Sequence, residues 1–117
     1  IHRVECRFES PEPVPLHDNF TATQLYLIAR EAVHNALKHA RAGSIAIQLR
    51  DHEGITLAIR DDGVGIRSQA ESETGMGIRI MRHRCGLIGG VFQVLSPAEG
   101  GTVVRCVLPV GVDDEAC

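Results

Sequence analysis

Ile55-Thr56-Leu57-Ala58-Ile59-Arg60-Asp61-Asp62-Gly63-Val64-Gly65-Ile66 is a strand that ends in an acidic pair and breaks into alternating glycines. Ile55, Leu57 and Ile59 recur with the period of two that marks a half-buried strand. Asp61 continues that series, so its carboxylate is predicted on the core face, where an ionised group needs a partner. Gly63 and Gly65 let the backbone come close to a bound group that a side chain would block. A backbone cradle beside an inward carboxylate is suited to reading a purine and its phosphates. Asp-Gly pairs also close ordinary turns, so the weight of the reading rests on what the rest of the chain supplies.

Working outward, Ile45, Ile47 and Leu49 alternate ahead of the turn-forming Asp51-His52-Glu53-Gly54, so residues 44 to 61 read as a hairpin. Upstream, Thr21 and Gln24 have the spacing of a capping box. Leu25, Ile28, Ala29, Ala32, Ala36 and Leu37 then recur at helical intervals up to a stop near Gly43. Val4, Cys6 and Phe8 alternate as a half-buried strand, and the proline-rich residues 10 to 15 form an extended loop. Downstream, residues 67 to 74 are polar and without periodicity, and residues 67 to 76 are predicted to form a mobile lid. A helix with Ile78, Met81, Cys85 and Ile88 on one side then starts at Gly75-Met76-Gly77. Residues 91 to 96 and 103 to 109 read as two more strands, and 111 to 117 as a frayed acidic tail. About five strands and three helices with hairpins dominating predict an α/β sandwich of the α+β kind. Its sheet is mixed and mostly antiparallel, with the helices on one face.

A chain of 117 residues with 44% hydrophobic content supports one domain over 1–117 with one core. A formal net charge of −3 with scattered arginines and Lys38 as the single lysine argues against a nucleic-acid surface, which needs clustered cations to displace counterions. No run approaches the roughly 18 apolar residues of a membrane span. The chain begins at Ile1 without Met, so the expectation is a cytoplasmic domain excised from a longer protein, with no membrane contact of its own. That expectation is compatible with a membrane anchor elsewhere in the longer protein. Cys6, Cys85, Cys106 and Cys117 lack CxxC spacing, which speaks against zinc or redox chemistry; the first three fall in apolar phases and read as reduced core residues.

Glu31 and Asn35 are four residues apart, hence one turn apart on one helix face, where a carboxylate and an amide oxygen can reach the same ion. Oxygen ligands suit Mg²⁺, which takes few protein ligands and completes its shell with phosphates and water. Lys38 and His39, a turn further on, can offer positive charge or a donor to a phosphate tail. Gly75 and Gly77 leave amides free at a helix start, a place that stabilises anions. Asp61 can accept from the exocyclic amine of adenine, a donor that guanine lacks there. His34 lies one residue off the site-facing stripe and reads as structural; His2, His52 and His83 lack ligand spacing.

Together these residues resemble the GHKL ATPases, and within them the ATP-binding domains of two-component sensor histidine kinases, with the Bergerat fold. Glu31-x-x-x-Asn35-x-x-Lys38-His39 resembles the family's N box, Asp61-x-Gly63-x-Gly65 its first glycine box, Gly75-x-Gly77 its second and Gly101-Thr102 its third. The pattern from Gly75 to Arg82, with no aromatic residue in the short lid, is most similar to nitrate-sensor-like and membrane-fluidity-sensor-like kinases. The resemblance implies Mg²⁺ on Asn35 with Glu31 beside it, the latter orienting the attacking group or acting as a base. It also implies ATP contacts from Asn35, Lys38, His39, Asp61, Gly63, Gly65, Ile66, Gly75, Met76, Gly77, Ile78 and Thr102. The implied partners are ATP or ADP, the protein's own dimerisation and histidine phosphotransfer domain in a homodimer, and a response regulator. His17-Asp18 has an acceptor-like pairing but precedes a helix cap and is not read as the phosphoacceptor. Serine kinases of the anti-sigma type and ATP-switch ATPases, which carry similar boxes, are the competing classes.

Overall fold

The computed structural model describes residues 4–10, 14, 16, 18–38, 42–63 and 75–109. In chain order the elements are β1 (Glu5–Glu9), α1 (Asn19–Lys38), β2 (Ser44–Asp51), β3 (Gly54–Asp61), α2 (Met76–Leu87), β4 (Val91–Leu95) and β5 (Thr102–Pro109). The five strands form one sheet in the order β1-β2-β3-β5-β4, in which β1 is parallel to β2 and every other pair is antiparallel. This is the predicted mixed sheet. The helices number two among the described residues, against about three expected.

The hairpin forms as its alternation dictates, because a turn at His52-Glu53 sets Ile47 opposite Ile59 and Leu49 opposite Leu57. His52 donates its N–H to the Gly54 carbonyl at 2.9 Å. Gly54 has φ +117°, and a Cβ there would collide with the Leu108 carbonyl oxygen of the neighbouring β5. A glycine is therefore required at this corner.

Register determines the faces. Ile45, Ile47, Leu49, Leu57, Ile59, Val104, Cys106 and Leu108 share one side of the sheet and pack with Leu25, Ile28, Ala32 and Ala36 of α1 and Ile78, Met81 and Cys85 of α2. Both helices therefore lie on that side, and their stripes are the ones that the sequence periodicity marks. Leu37 departs from it: it follows Ala36 around the helix by about 100° and is exposed. A cation–π contact of Arg82 with Phe92, 5.5 Å from the ring centroid, adds to the α2–β4 packing.

Three further expectations need correction. The helix starts earlier than the capping-box reading has it. Asp18 is the cap: its Oδ1 accepts the Thr21 N–H at 2.6 Å and its Oδ2 accepts the Thr21 hydroxyl at 3.0 Å. Thr21 is thus capped, not capping. Gln24, freed from a capping role, is 7% exposed and accepts from Arg84 Nη1 at 3.0 Å, pinning α1 to α2. Finally, β1 is not half-buried. Cys6 is exposed and Phe8 is 65% exposed, because β1 is the edge strand and a groove of about 470 Å³ lies between it and α1 among the described residues.

Cys85 and Cys106 are buried, as expected, with both sulfurs close to Gly90. Burial pushes both thiols up, Cys106 furthest, so they stay neutral in the core.

Candidate functional site

Two groups of the predicted residues come together. The first joins α1 to α2. Glu31 and Asn35 stand on one face of α1, and both are half-buried. A Cβ on Gly77, the second residue of α2, would lie 3.0 Å from Asn35 Nδ2, 3.2 Å from Asn35 Oδ1 and 3.4 Å from Glu31 Cδ. The two parts of the N box therefore converge on the backbone at the start of the second helix, and glycine at 77 is what leaves room for them. Gly75 is the N-cap of α2, in extended conformation and without a side-chain cap, so it leaves the first amides of this helix without a capping side chain of its own. Unsatisfied amides at a helix start favour an anion.

The second group sits at the end of β3. Asp61 pairs with Ile45 on one side and Thr102 on the other, which puts its side chain on the helix-bearing face, as the alternation predicts. Its Oδ1 accepts the Gly63 N–H at 2.8 Å, closing a turn over Asp62. Burial raises the Asp61 carboxyl above its ordinary 3.8. The Gly63 amide opposes this, the Asp62 charge adds to it, and the Thr102 amide again opposes it. Gly101 has φ +82°, and a Cβ on it would collide with the Asp61 carbonyl oxygen, so the third glycine box packs directly on the first. Thr102 is buried beside them.

Lys38 and Met76 are exposed at helix ends, Met76 at 77%, and Ile78 is in the core. His34 is exposed on α1. His39, Gly65 and Ile66 lie outside the described residues, as do residues 67 to 74 of the predicted lid, His17, Cys117 and the tail at 111 to 117; Gly75 and Met76, the last two lid residues, are the N-cap and first residue of α2. A polar cleft of about 270 Å³ near Asp61 is not the predicted pocket. Its lining includes Arg7, Ala46 and Arg60, cross-strand neighbours on the face away from the helices.

The sequence reading missed Asp62. Its Oδ1 accepts the N–H groups of Gly43 at 2.8 Å and Ser44 at 2.9 Å. An acidic pair was visible at 61 and 62, but nothing local distinguishes the second carboxylate from a solvated one.

The donor set suits a hard cation sparingly. Among the described residues no three His, Cys, Asp or Glu side chains converge on a metal position. A cation at Glu31 and Asn35 would therefore complete its shell from phosphate and water, as Mg²⁺ prefers.

A sheet with both described helices on one face, and glycines abutting Asn35 and Asp61, fit an ATPase domain of the GHKL class, and the sequence comparison shows the family. The chain belongs to the family described as histidine kinase-, DNA gyrase B-, and HSP90-like ATPase, whose profile matches residues 21–112. It is similar to the nitrate/nitrite sensor protein NarQ of Escherichia coli, 38% identical over 103 residues that make up 86% of this chain and 18% of NarQ. It is also similar to the sensor protein VraS of Staphylococcus saprophyticus, 29% identical over 97% of this chain and 31% of VraS. The chain thus spans less than a third of the length of these relatives. Among solved structures, the histidine kinase domain of the blue-light activated kinase EL346 from Erythrobacter litoralis superposes with a TM-score of 0.71 at 26% identity, over 92% of this chain and 52% of that one. The histidine kinase AdeS of Acinetobacter baumannii, at 16% identity, shares the fold with a TM-score of 0.76, over 94% of this chain and 56% of that one.

Proposed function

We propose that this chain is the catalytic, ATP-binding domain of a sensor histidine kinase. On this reading it holds Mg²⁺-ATP and presents the γ-phosphate to a histidine on a separate dimerisation and phosphotransfer domain of a longer, homodimeric protein. A response regulator then takes the phosphoryl group. The observation that carries the proposal is the close approach of the Asn35 and Glu31 side chains to the place a Cβ on Gly77 would take, because it brings an amide and a carboxylate to a helix start whose N-cap makes no side-chain hydrogen bond.

ATP would supply the phosphoryl group and Mg²⁺ the charge neutralisation that phosphoryl transfer requires. Asn35 holds the cation through its amide oxygen. Glu31, one turn earlier and on the same face, orients the attacking imidazole or takes its proton. The amides of α2 from Met76 onward donate to the phosphate oxygens, Lys38 adds positive charge from the end of α1, and His39 is assigned charge or a donor for the same phosphates by the family's motif. Asp61 accepts the adenine amine through its carboxylate, which the Gly63 and Thr102 amides hold in place. Gly63 and Ile78 shape the walls, and Gly65 and Ile66 are assigned nucleotide contacts by the family's motif. Among the described residues no helix is long and apolar enough to cross a membrane; we assign the domain to the cytoplasm, joined to whatever anchor the longer protein carries.

Calorimetry with Mg²⁺-ATP, Mg²⁺-GTP and Mg²⁺-free ADP tests this reading on the chain and on Asn35→Ala. ATP is expected to bind and GTP to bind far more weakly. Asn35→Ala is expected to abolish the Mg²⁺-dependent part of ATP affinity and phosphoryl transfer to a supplied acceptor domain, while Mg²⁺-free ADP binding stays near the parent's. Equal affinity for ATP and GTP would remove Asp61 from base recognition. Cooperative melting of Asn35→Ala at far lower temperature would make that helix face structural.

A further inference from the structure

The second acid of the Asp61-Asp62 pair has its own hydrogen-bond network. Asp62 Oδ1 accepts from Gly43 N and Ser44 N, and the Asp62 N–H donates to the Ser44 carbonyl at 3.2 Å. The same short connection is tied at both other ends. Ala42 N–H donates to the Ala36 carbonyl at 3.2 Å, one residue beyond Asn35 on α1, and the Gly43 carbonyl accepts from Glu5 N at 2.9 Å on β1. An unbroken chain of bonds therefore runs from the last turn of the Asn35 helix, through residues 42 to 44, to the residue between Asp61 and Gly63. Asp62 is also the middle residue of the turn that Asp61 closes onto Gly63, so a shift of the Asp62 backbone disturbs the turn that orients the Asp61 carboxylate.

We propose that Asp62 is a positioning residue for the nucleotide site: by holding the Gly43-Ser44 amides it fixes Asp61 and the glycine turn relative to the helix that carries Asn35. The inference rests on the nucleotide-binding reading above. A carboxylate suits this task because one oxygen can accept two adjacent amides, and bonds to an ionised acceptor are stronger than neutral ones. Asp62 is exposed, so its contribution to overall stability is small, and its effect is expected in ligand affinity.

The test is calorimetric titration of Mg²⁺-ADP and Mg²⁺-ATP into the chain, Asp62→Ala, Asp62→Asn and Asp62→Ser, with a melting temperature for each. Asp62→Ala is expected to raise the Kd for both nucleotides about tenfold at a melting temperature close to the parent's. Asp62→Asn, which keeps an oxygen for both amides, is expected to restore affinity to within about threefold. Unchanged affinity in Asp62→Ala overturns the inference, and so does failure of Asn to rescue. Should Asp62→Ala prove unstable, Asp62→Ser carries the same comparison with a shorter acceptor, and parent-like affinity there overturns it equally. Absence of nucleotide binding by the parent is the distinct result that removes the functional reading itself, and this inference with it.

Discussion

At the scale of single residues, the site is built at a cost to the fold, and two substitutions separate the effects. Asp61 has its carboxyl raised above 3.8, chiefly by burial. The native state therefore binds a proton that the unfolded chain releases, and stability falls as pH rises from about 4 through the raised value. Asp61→Asn keeps an oxygen for the Gly63 amide and removes the charge. It is expected to flatten that slope and to raise the melting temperature of the nucleotide-free domain at pH 7. The same change should weaken ATP binding by about 2 kcal/mol, roughly thirtyfold in Kd, through loss of a charged acceptor in a dry pocket. Melts across this pH range and calorimetry check both signs, and a variant no more stable than the parent at pH 7 would show that the buried charge is compensated. Gly77→Ala should behave similarly. An alanine suits the helical backbone there, worth about 0.5 kcal/mol of stability if the Asn35 side chain gives way. Its Cβ, 3.0 Å from the Asn35 amide, should displace that group and weaken Mg²⁺-ATP binding. A Gly77→Ala domain with parental Mg²⁺-ATP affinity would mean that Asn35 moves aside freely.

At the scale of elements, α1 is the organising piece: it carries Glu31, Asn35 and Lys38, buries its apolar stripe on β2 and β3, and is pinned to α2 by Gln24 and Arg84. Its start is set by Asp18, whose two carboxylate oxygens take the Thr21 amide and hydroxyl. Asp18→Ala should cost about 1 kcal/mol of stability, and Thr21→Ala less, since only the hydroxyl bond is lost. If chemical denaturation instead finds Thr21→Ala the more damaging, the cap would lie where the sequence spacing first put it. In either variant Asn35 is about four to five turns away, so nucleotide affinity should change little.

At the scale of the whole molecule, one sheet carries its helices on one face, and burial divides the cysteines accordingly. Cys6 sits on the exposed edge strand, while Cys85 and Cys106 are enclosed between α2 and β5 with raised pKa values. In a Cys117→Ala background, iodoacetamide is expected to modify Cys6 in the native domain and to reach Cys85 and Cys106 only on unfolding. Mass spectrometry with and without denaturant reads this directly. Native-state labelling of Cys85 would show that α2 opens from the sheet.

Much of this fold was legible in the amino-acid order, because periodicity is local. The hairpin over 44 to 61, the stripes of both helices and the inward phase of Asp61 follow from spacings of two and of three to four residues, and the glycine and acid positions of the site follow from their motifs. What the order of residues could not contain is which of these patterns meets a neighbour. Val4, Cys6 and Phe8 alternate like a core strand, yet β1 lies at an edge, and alternation states which side of a strand is apolar, not whether anything covers it. Gln24 has the spacing of a capping residue but bonds to Arg84 sixty positions on. Gly77 needs its missing side chain because Asn35 crosses it, and Asp62 acts on amides nearly twenty residues earlier. Each of these depends on contacts between segments distant in the chain, which exist only once the sheet has closed and the two helices have packed on it.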